Sequence, residues 1–172
     1  MRKLLITIAL CLPSLTVLAD ADKKPSSTWF RSSTDHYQYY STGDKEYGIQ
    51  ASMRLVDNSK KAKAIDFRLV WENEKFCSDH KDKEGVIATD TYYVNDEPVS
   101  FTIVCYKKTT INTYPSTKEG LDLVLRIFDQ AKGNKIVFVK QVSVGKDVVY
   151  SLPSEGFSDF YREIKKASKT VL

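Results

Sequence analysis

Side chains able to carry covalent or acid–base chemistry are few in this chain. There are three cysteines, two histidines and a scatter of carboxylates outside any recognisable motif. Cys11 falls in an apolar N-terminal run, which leaves Cys77 and Cys105 as the sulfur chemistry of the remaining chain. In an oxidising compartment such an even pair reads first as a disulfide. Closing that loop stabilises a fold by roughly 3–4 kcal/mol on the chain-entropy relation. The other reading of these cysteines is a reactive thiol with a histidine partner. The histidines are His36 and His80, and neither stands at HExxH spacing. Asp79-His80-Lys81-Asp82 sets an imidazole between acids, a grouping that suits a weak metal contact or acid/base work and equally a solvated loop. GxSxG, SxxK, CxxC and a glycine-rich phosphate loop are all missing. Glu72/Glu74 and Asp96/Glu97 are the carboxylate pairs that glycan hydrolysis would need. They fall at a strand end and in a tight turn, where acids also serve solubility and turn formation. No catalytic residue, metal ligand or cofactor is assigned from these patterns.

The N-terminus sets the compartment in which such residues would act. Arg2 and Lys3 precede an apolar run from Leu4 to Leu18, and Val17-Leu18-Ala19 fits signal-peptidase cleavage after Ala19. The run is shorter than the roughly 20 apolar residues of a membrane span, and none of that length follows. The sequence therefore predicts a cleaved Sec-type signal peptide over 1–19, a flexible leader over 20–33 and one globular domain over 34–172. It places the mature protein in the bacterial periplasm or outside the cell, with no integral membrane span. Loss of Arg2 and Lys3 takes the net charge from +4 to +2, which is no basis for nucleic-acid binding.

Period-two alternation dominates the globular region. Tyr47, Ile49, Ala51, Met53 and Leu55 share one face, and Ile65, Phe67, Leu69 and Trp71 repeat the pattern beyond a polar turn, as in an antiparallel hairpin. Tyr92–Tyr106 reads as strand, turn at Asn95–Pro98, and strand, with Val99, Phe101, Ile103 and Cys105 on one face. Glu72–Gly85 is densely charged and reads as an exposed loop that a Cys77–Cys105 bridge ties back to that strand. Lys107–Tyr114 reads as chain leaving the sheet. Ser116 with Glu119 has the capping-box form and opens a helix ended by Gly133. Lys135–Val144 and Val148–Leu152 are strands, and Ser154 caps a last helix carrying Phe157, Phe160, Tyr161 and Ile164 along one stripe. The expected fold class is α+β, a mainly antiparallel sheet of six to seven strands with two helices packed on one side.

An aromatic cluster of Tyr37, Tyr39, Tyr40 and Tyr47 precedes the first clear strand. Tyrosines on a surface make contact patches, and in a strand they cover a sheet. These tyrosines, with His80 in the charged Cys77–Gly85 loop, are the candidate binding residues. Lysine pairs at 60–61, 107–108 and 165–166 would make a patch for anionic polymers if they met on one face.

In the last third, a helix and strand lead into SLPSEGFSDFYREI, with Leu152, Gly156, Phe157 and Ile164 at the key places and FTIVCY upstream as a cysteine-bearing strand. This part resembles small periplasmic proteins of the invasion-associated locus B type. The chain departs from them in having one cysteine pair where more are common. The resemblance implies an envelope location and a host-contact context, with no reaction and no site residue to transfer. The function expected is a non-enzymatic binding protein that contacts another envelope or secreted protein, as an inhibitor or immunity-type partner. The alternatives are an accessory subunit of a secretion or pilus assembly, and an envelope-polymer hydrolase using acids such as Glu72. Sequence leaves the oligomeric state open.

Overall fold

Strand-period alternation translates directly into sheet. The computed structural model describes residues 28–31, 38–42, 48–57, 63–79, 85–106, 109–142 and 145–169. Their order is β1 (Phe30–Arg31), β2 (Gln38–Thr42), β3 (Gln50–Asp57), β4 (Lys63–Glu72), α1 (Glu74–Asp79), β5 (Val86–Val94), β6 (Glu97–Tyr106), β7 (Thr110–Pro115), α2 (Lys118–Gln130), β8 (Lys135–Lys140), β9 (Val148–Pro153) and α3 (Phe157–Lys169). The fold is α+β around an antiparallel sheet, as its alternation predicts. It has nine strands in the order β1-β2-β3-β4-β7-β6-β5-β8-β9, more than the six to seven expected. The added strands include β1, two residues long, and β7.

β7 corrects one expectation. Thr110–Pro115 does not leave the sheet; it lies between β4 and β6, pairing Leu69 with Thr113 on one side and Cys105 with Ile111 on the other. The β5–β6 hairpin turns on Asn95 (φ 46°) and Asp96 (φ 69°). Both are left-handed, the backbone of a two-residue turn whose twist matches that of the strands. Asn95 also reaches sideways: its Oδ1 accepts from the Val137 N–H at 2.8 Å, helping to dock β8 beside β5.

The main core is one contiguous cluster. Met53, Phe67, Leu69, Phe101, Phe138 and Leu152 are buried there with Val124, Leu125 and Phe128 of α2 and Phe157 and Ile164 of α3. α2 and α3 touch each other, α2 lies against β4, β6 and β7, and α3 lies against β3 and β4. Phe128 is the hub, with the rings of Trp29, Phe67, Phe138 and Phe157 all within 6.2 Å of its own.

The sheet curls until its two ends approach. β2 contacts β9, and Trp29, just before β1, donates from its backbone N–H to the Glu155 carbonyl and from Nε1 to the Pro153 carbonyl, both at 2.9 Å. Gly156 lies at this approach with φ +79°, a left-handed backbone that glycine adopts without strain. Arg31 pairs with Glu163 of α3 beside this seam. Among the described residues no helix is long and apolar enough to cross a membrane.

Two helix caps differ from expectation. Thr117, not Ser116, is the N-cap of α2, its hydroxyl accepting from the Gly120 N–H at 3.0 Å. The Ser116 hydroxyl is drawn instead to those of Thr102 and Ser100 on β6. Ser154 does not cap α3 with its side chain. Its hydroxyl donates to the Asn134 carbonyl at 2.6 Å and accepts from the Gly133 N–H at 3.0 Å, bracing the turn after α2. α2 ends at Gln130 with Ala131 as its C-cap, and the first left-handed residue after it is Lys132 (φ 48°), not the expected Gly133, which follows at φ +90°.

Candidate functional site

The segment expected to be an exposed loop contains a helix. Asn73 starts it: its side chain accepts from the Phe76 N–H at 2.9 Å, and its own N–H donates to the Thr109 carbonyl. One short turn later Cys77 is buried. In the sheet, Trp71, Ile111 and Cys105 stand side by side across β4, β7 and β6. Folding the chain back after Glu72 therefore carries Cys77 over this row. Cys77 and Cys105 lie at disulfide distance, with Cα atoms 5.6 Å apart. A small apolar cluster of Cys77, Ile103 and Ile111, backed by Phe76, Trp71 and Ala88, packs under α1.

Between that cluster and the main core lies a cavity of about 340 Å³. This falls within the range of small-molecule sites, roughly 300–1,000 Å³. Phe76 and Asn73 belong to its roof, Ile103, Ile111 and Trp71 to one wall, and Tyr92, Tyr150 and Val148 to the other. Glu72 and Lys140 add the charges, Glu72 being exposed. The lining is mostly apolar, with a few polar groups converging on it.

Those polar groups have distinct states. Lys140 stands on the core-facing row of β8 after Ile136 and Phe138, opposite Tyr92. Its Nζ is 2.8 Å from Asp90 and 5.7 Å from the centre of the Tyr92 ring. Its charge is thus matched by a carboxylate, with a cation–π contact added. Tyr92 and Tyr150 are each 2% exposed. Burial holds both phenols well above their ordinary pKa, with Asp90 reinforcing the effect on Tyr92 and Tyr92 on Tyr150. Both are therefore neutral hydrogen-bond donors at any physiological pH. The Tyr150 ring stacks on Phe138 at 5.2 Å, and its buried hydroxyl has no hydrogen-bond partner among the described residues. A buried hydroxyl left in that state costs free energy, and with no accessible surface it does not open onto the cavity that the rest of Tyr150 lines.

Two further hollows, of about 400 and 520 Å³, lie around Arg54, Arg68, Tyr106 and Asn112 and are more open to solvent. Their arginines are already engaged. Arg54 holds Asp66 at 2.9 Å, and Arg68 donates to the Ser52 hydroxyl at 3.2 Å.

Compared with protein-family models, with curated proteins and with solved structures, the chain matches none.

Of the residues singled out from sequence, Cys77 and Cys105 come together, and neither lines the cavity. Tyr37, Tyr47 and His80 lie outside the described residues, as do His36 and the first two lysine pairs. Tyr39 and Tyr40 lie in β2, in register with Met53 and Ser52. Of the carboxylate pairs, Glu72 lies exposed at the cavity, Glu74 opens α1 and is exposed, and Asp96 and Glu97 are exposed in the hairpin. Among the described residues no three of His, Cys, Asp and Glu group as a metal site. The residues that sequence reasoning missed are Tyr92, Lys140 and Tyr150. One signal for them was present: Asp90 and Lys140 are charges on strand positions whose period-two neighbours, Tyr92 and Phe138, are core residues.

Proposed function

We propose that the protein is an exported, non-enzymatic binding protein of the bacterial envelope that holds a small, largely apolar molecule under α1. The observation that carries this reading is the cavity itself. It has an aromatic and aliphatic lining and a few polar groups. Export agrees with the paired cysteines, since such bridges persist in oxidising compartments. The test is titration with the apolar fluorophore N-phenyl-1-naphthylamine. Saturable, one-to-one enhancement is expected for the native protein, and its loss in Val148→Trp, where the new indole fills the cavity. A native protein that shows no saturable enhancement up to the solubility limit of the probe would remove the reading. N-terminal sequencing of the exported chain, expected to start at Asp20, tests its location separately.

Contact with another envelope or secreted protein is a second reading, favoured by one patch. Val139 stands between Tyr93 and Val149 in register, with Val137 on the same face. Val137 is 39% and Val149 48% exposed. Replacing both valines by Asp would leave the melting curve in place and eliminate one reproducible protein from affinity capture out of the periplasm. An unchanged captured set counts against this patch.

A further inference from the structure

Taking the cavity as a ligand site, the reading on which this inference rests, three properties of its wall narrow the class of ligand. The first is size. A cavity of about 150 Å³ admits one benzene ring, so a cavity of about 340 Å³ has room for roughly two. The second is charge. Lys140 already has the Asp90 carboxylate at 2.8 Å, and Glu72 is exposed at the rim. An anion entering the cavity would meet a cation whose charge Asp90 balances, and a cation would meet Lys140 itself. Burying a charge without a counter-charge is costly, so the wall favours a neutral molecule.

The third property is the state of the rings. The chain has two tryptophans. Trp29 packs edge-on against Phe128 at 5.7 Å and Phe157 at 5.0 Å, and its Nε1–H donates to the Pro153 carbonyl. Trp71 is half-buried in the cavity wall and has neither a ring contact nor a side-chain hydrogen bond among the described residues. Tyr92 and Tyr150, on the wall across from it, have their ring partners outside the lining, in Phe101 and Phe138. Trp71 is also fixed in place: it stands in register with Ile111 and packs against both hydrophobic clusters. Aromatic rings gain from meeting one another beyond the area they bury, so a held indole without a ring partner favours an aromatic ligand over a saturated one of the same size.

We infer that the cavity takes a compact, uncharged aromatic compound of about two fused rings, packed against the Trp71 indole. Benzenoid and heteroaromatic ring systems share this chemistry; saturated hydrocarbons and aromatic ions do not.

The experiment uses the intact mature protein loaded with N-phenyl-1-naphthylamine at pH 7.4. The competitors share one carbon skeleton: 2-naphthylmethanol, its decahydro analogue, 2-naphthoate and 2-naphthylmethylammonium. Dividing the affinity of each alcohol by its water-to-cyclohexane partition coefficient removes their difference in hydrophobicity. So corrected, the aromatic alcohol should bind about twofold to tenfold more tightly than the saturated one, the scale of one ring–ring contact. Both ions should bind more weakly than the aromatic alcohol. In Trp71→Leu the corrected advantage should shrink toward unity. A second readout uses the native protein. The Trp71 indole N–H resonance, identified by its absence from Trp71→Phe, should shift under the ring current of the aromatic alcohol while that of Trp29 stays in place. Equal corrected affinities of the two alcohols, tightest binding by either ion, an advantage unchanged in Trp71→Leu, or an unmoved Trp71 resonance would each overturn the inference and leave the cavity as a ligand site. Failure of all four compounds to displace a bound probe would overturn the inference through the cavity reading itself.

Discussion

Removing the Cys77–Cys105 bridge tests both the stability of the fold and the construction of the cavity. The bridge closes a sequence separation of 28 residues. On the chain-entropy relation that closure stabilises the folded state by about 3.5 kcal/mol at 25 °C, a sizeable part of the roughly 5–15 kcal/mol typical of a domain. The double variant Cys77→Ala/Cys105→Ala should therefore unfold at lower urea concentration. With an m-value of about 2 kcal/mol/M, the midpoint should fall by roughly 1.7 M. The loss should not be uniform. α1 has only six residues, too few to stand alone as a helix, and is held by the Asn73 cap, the bridge and the small cluster under it. β5, β6 and β8 belong to the continuous sheet. Amide exchange should accelerate first in residues 74–79, and probe affinity should weaken well below the urea midpoint because Phe76 no longer holds the roof. A midpoint lowered by less than about 0.5 M, under about 1 kcal/mol, would refute the stability argument. Undiminished probe binding with a lowered midpoint would refute the role of α1 as a roof.

Thr113 is wholly buried on β7, and its hydroxyl has no hydrogen-bond partner among the described residues. Thr113→Val keeps the branched shape and removes that group, so the urea midpoint should rise by the equivalent of about 1–2 kcal/mol; a fall would show that the hydroxyl is satisfied in solution. The two buried phenols make stability sensitive to alkali. A folded-state pKa raised above the unfolded value near 10 gives a contribution that is complete below about pH 10 and is lost as pH climbs above it. Unfolding free energy should drop by about 2.7 kcal/mol per pH unit there, half from each tyrosine, and Tyr150→Phe should halve that slope; an unchanged slope in the variant would place the alkaline transition elsewhere.

How much the amino-acid order could disclose depends on where each force acts. β3, β4 and β6 were legible because their alternation is set by one buried face, and slipping by one residue would expose every apolar side chain. β7 was not, because Thr113 puts a hydroxyl at a core-facing position and dilutes the apolar period with Ile111 as its one aliphatic anchor. α1 was not, because EKFCSD is too short for a helical stripe, and its position comes from contacts distant in sequence: the bridge to Cys105 and the Thr109 carbonyl. The site was the least legible part, for a related reason. Asp90 and Lys140 are each visible as charges on a core-facing row, yet they become a neutralised pair only because β8 pairs with the second edge of β5. That pairing also sets Tyr150, on the next strand, against the cavity that Tyr92 lines. A strand pairing across some 50 residues is chosen by the whole sheet, including the curl that brings Trp29 onto Glu155, and no local window of sequence contains it. The lining at Tyr150 is thus a property of topology, and variants that preserve local propensity while altering the β5–β8 edge should weaken N-phenyl-1-naphthylamine binding before they abolish folding.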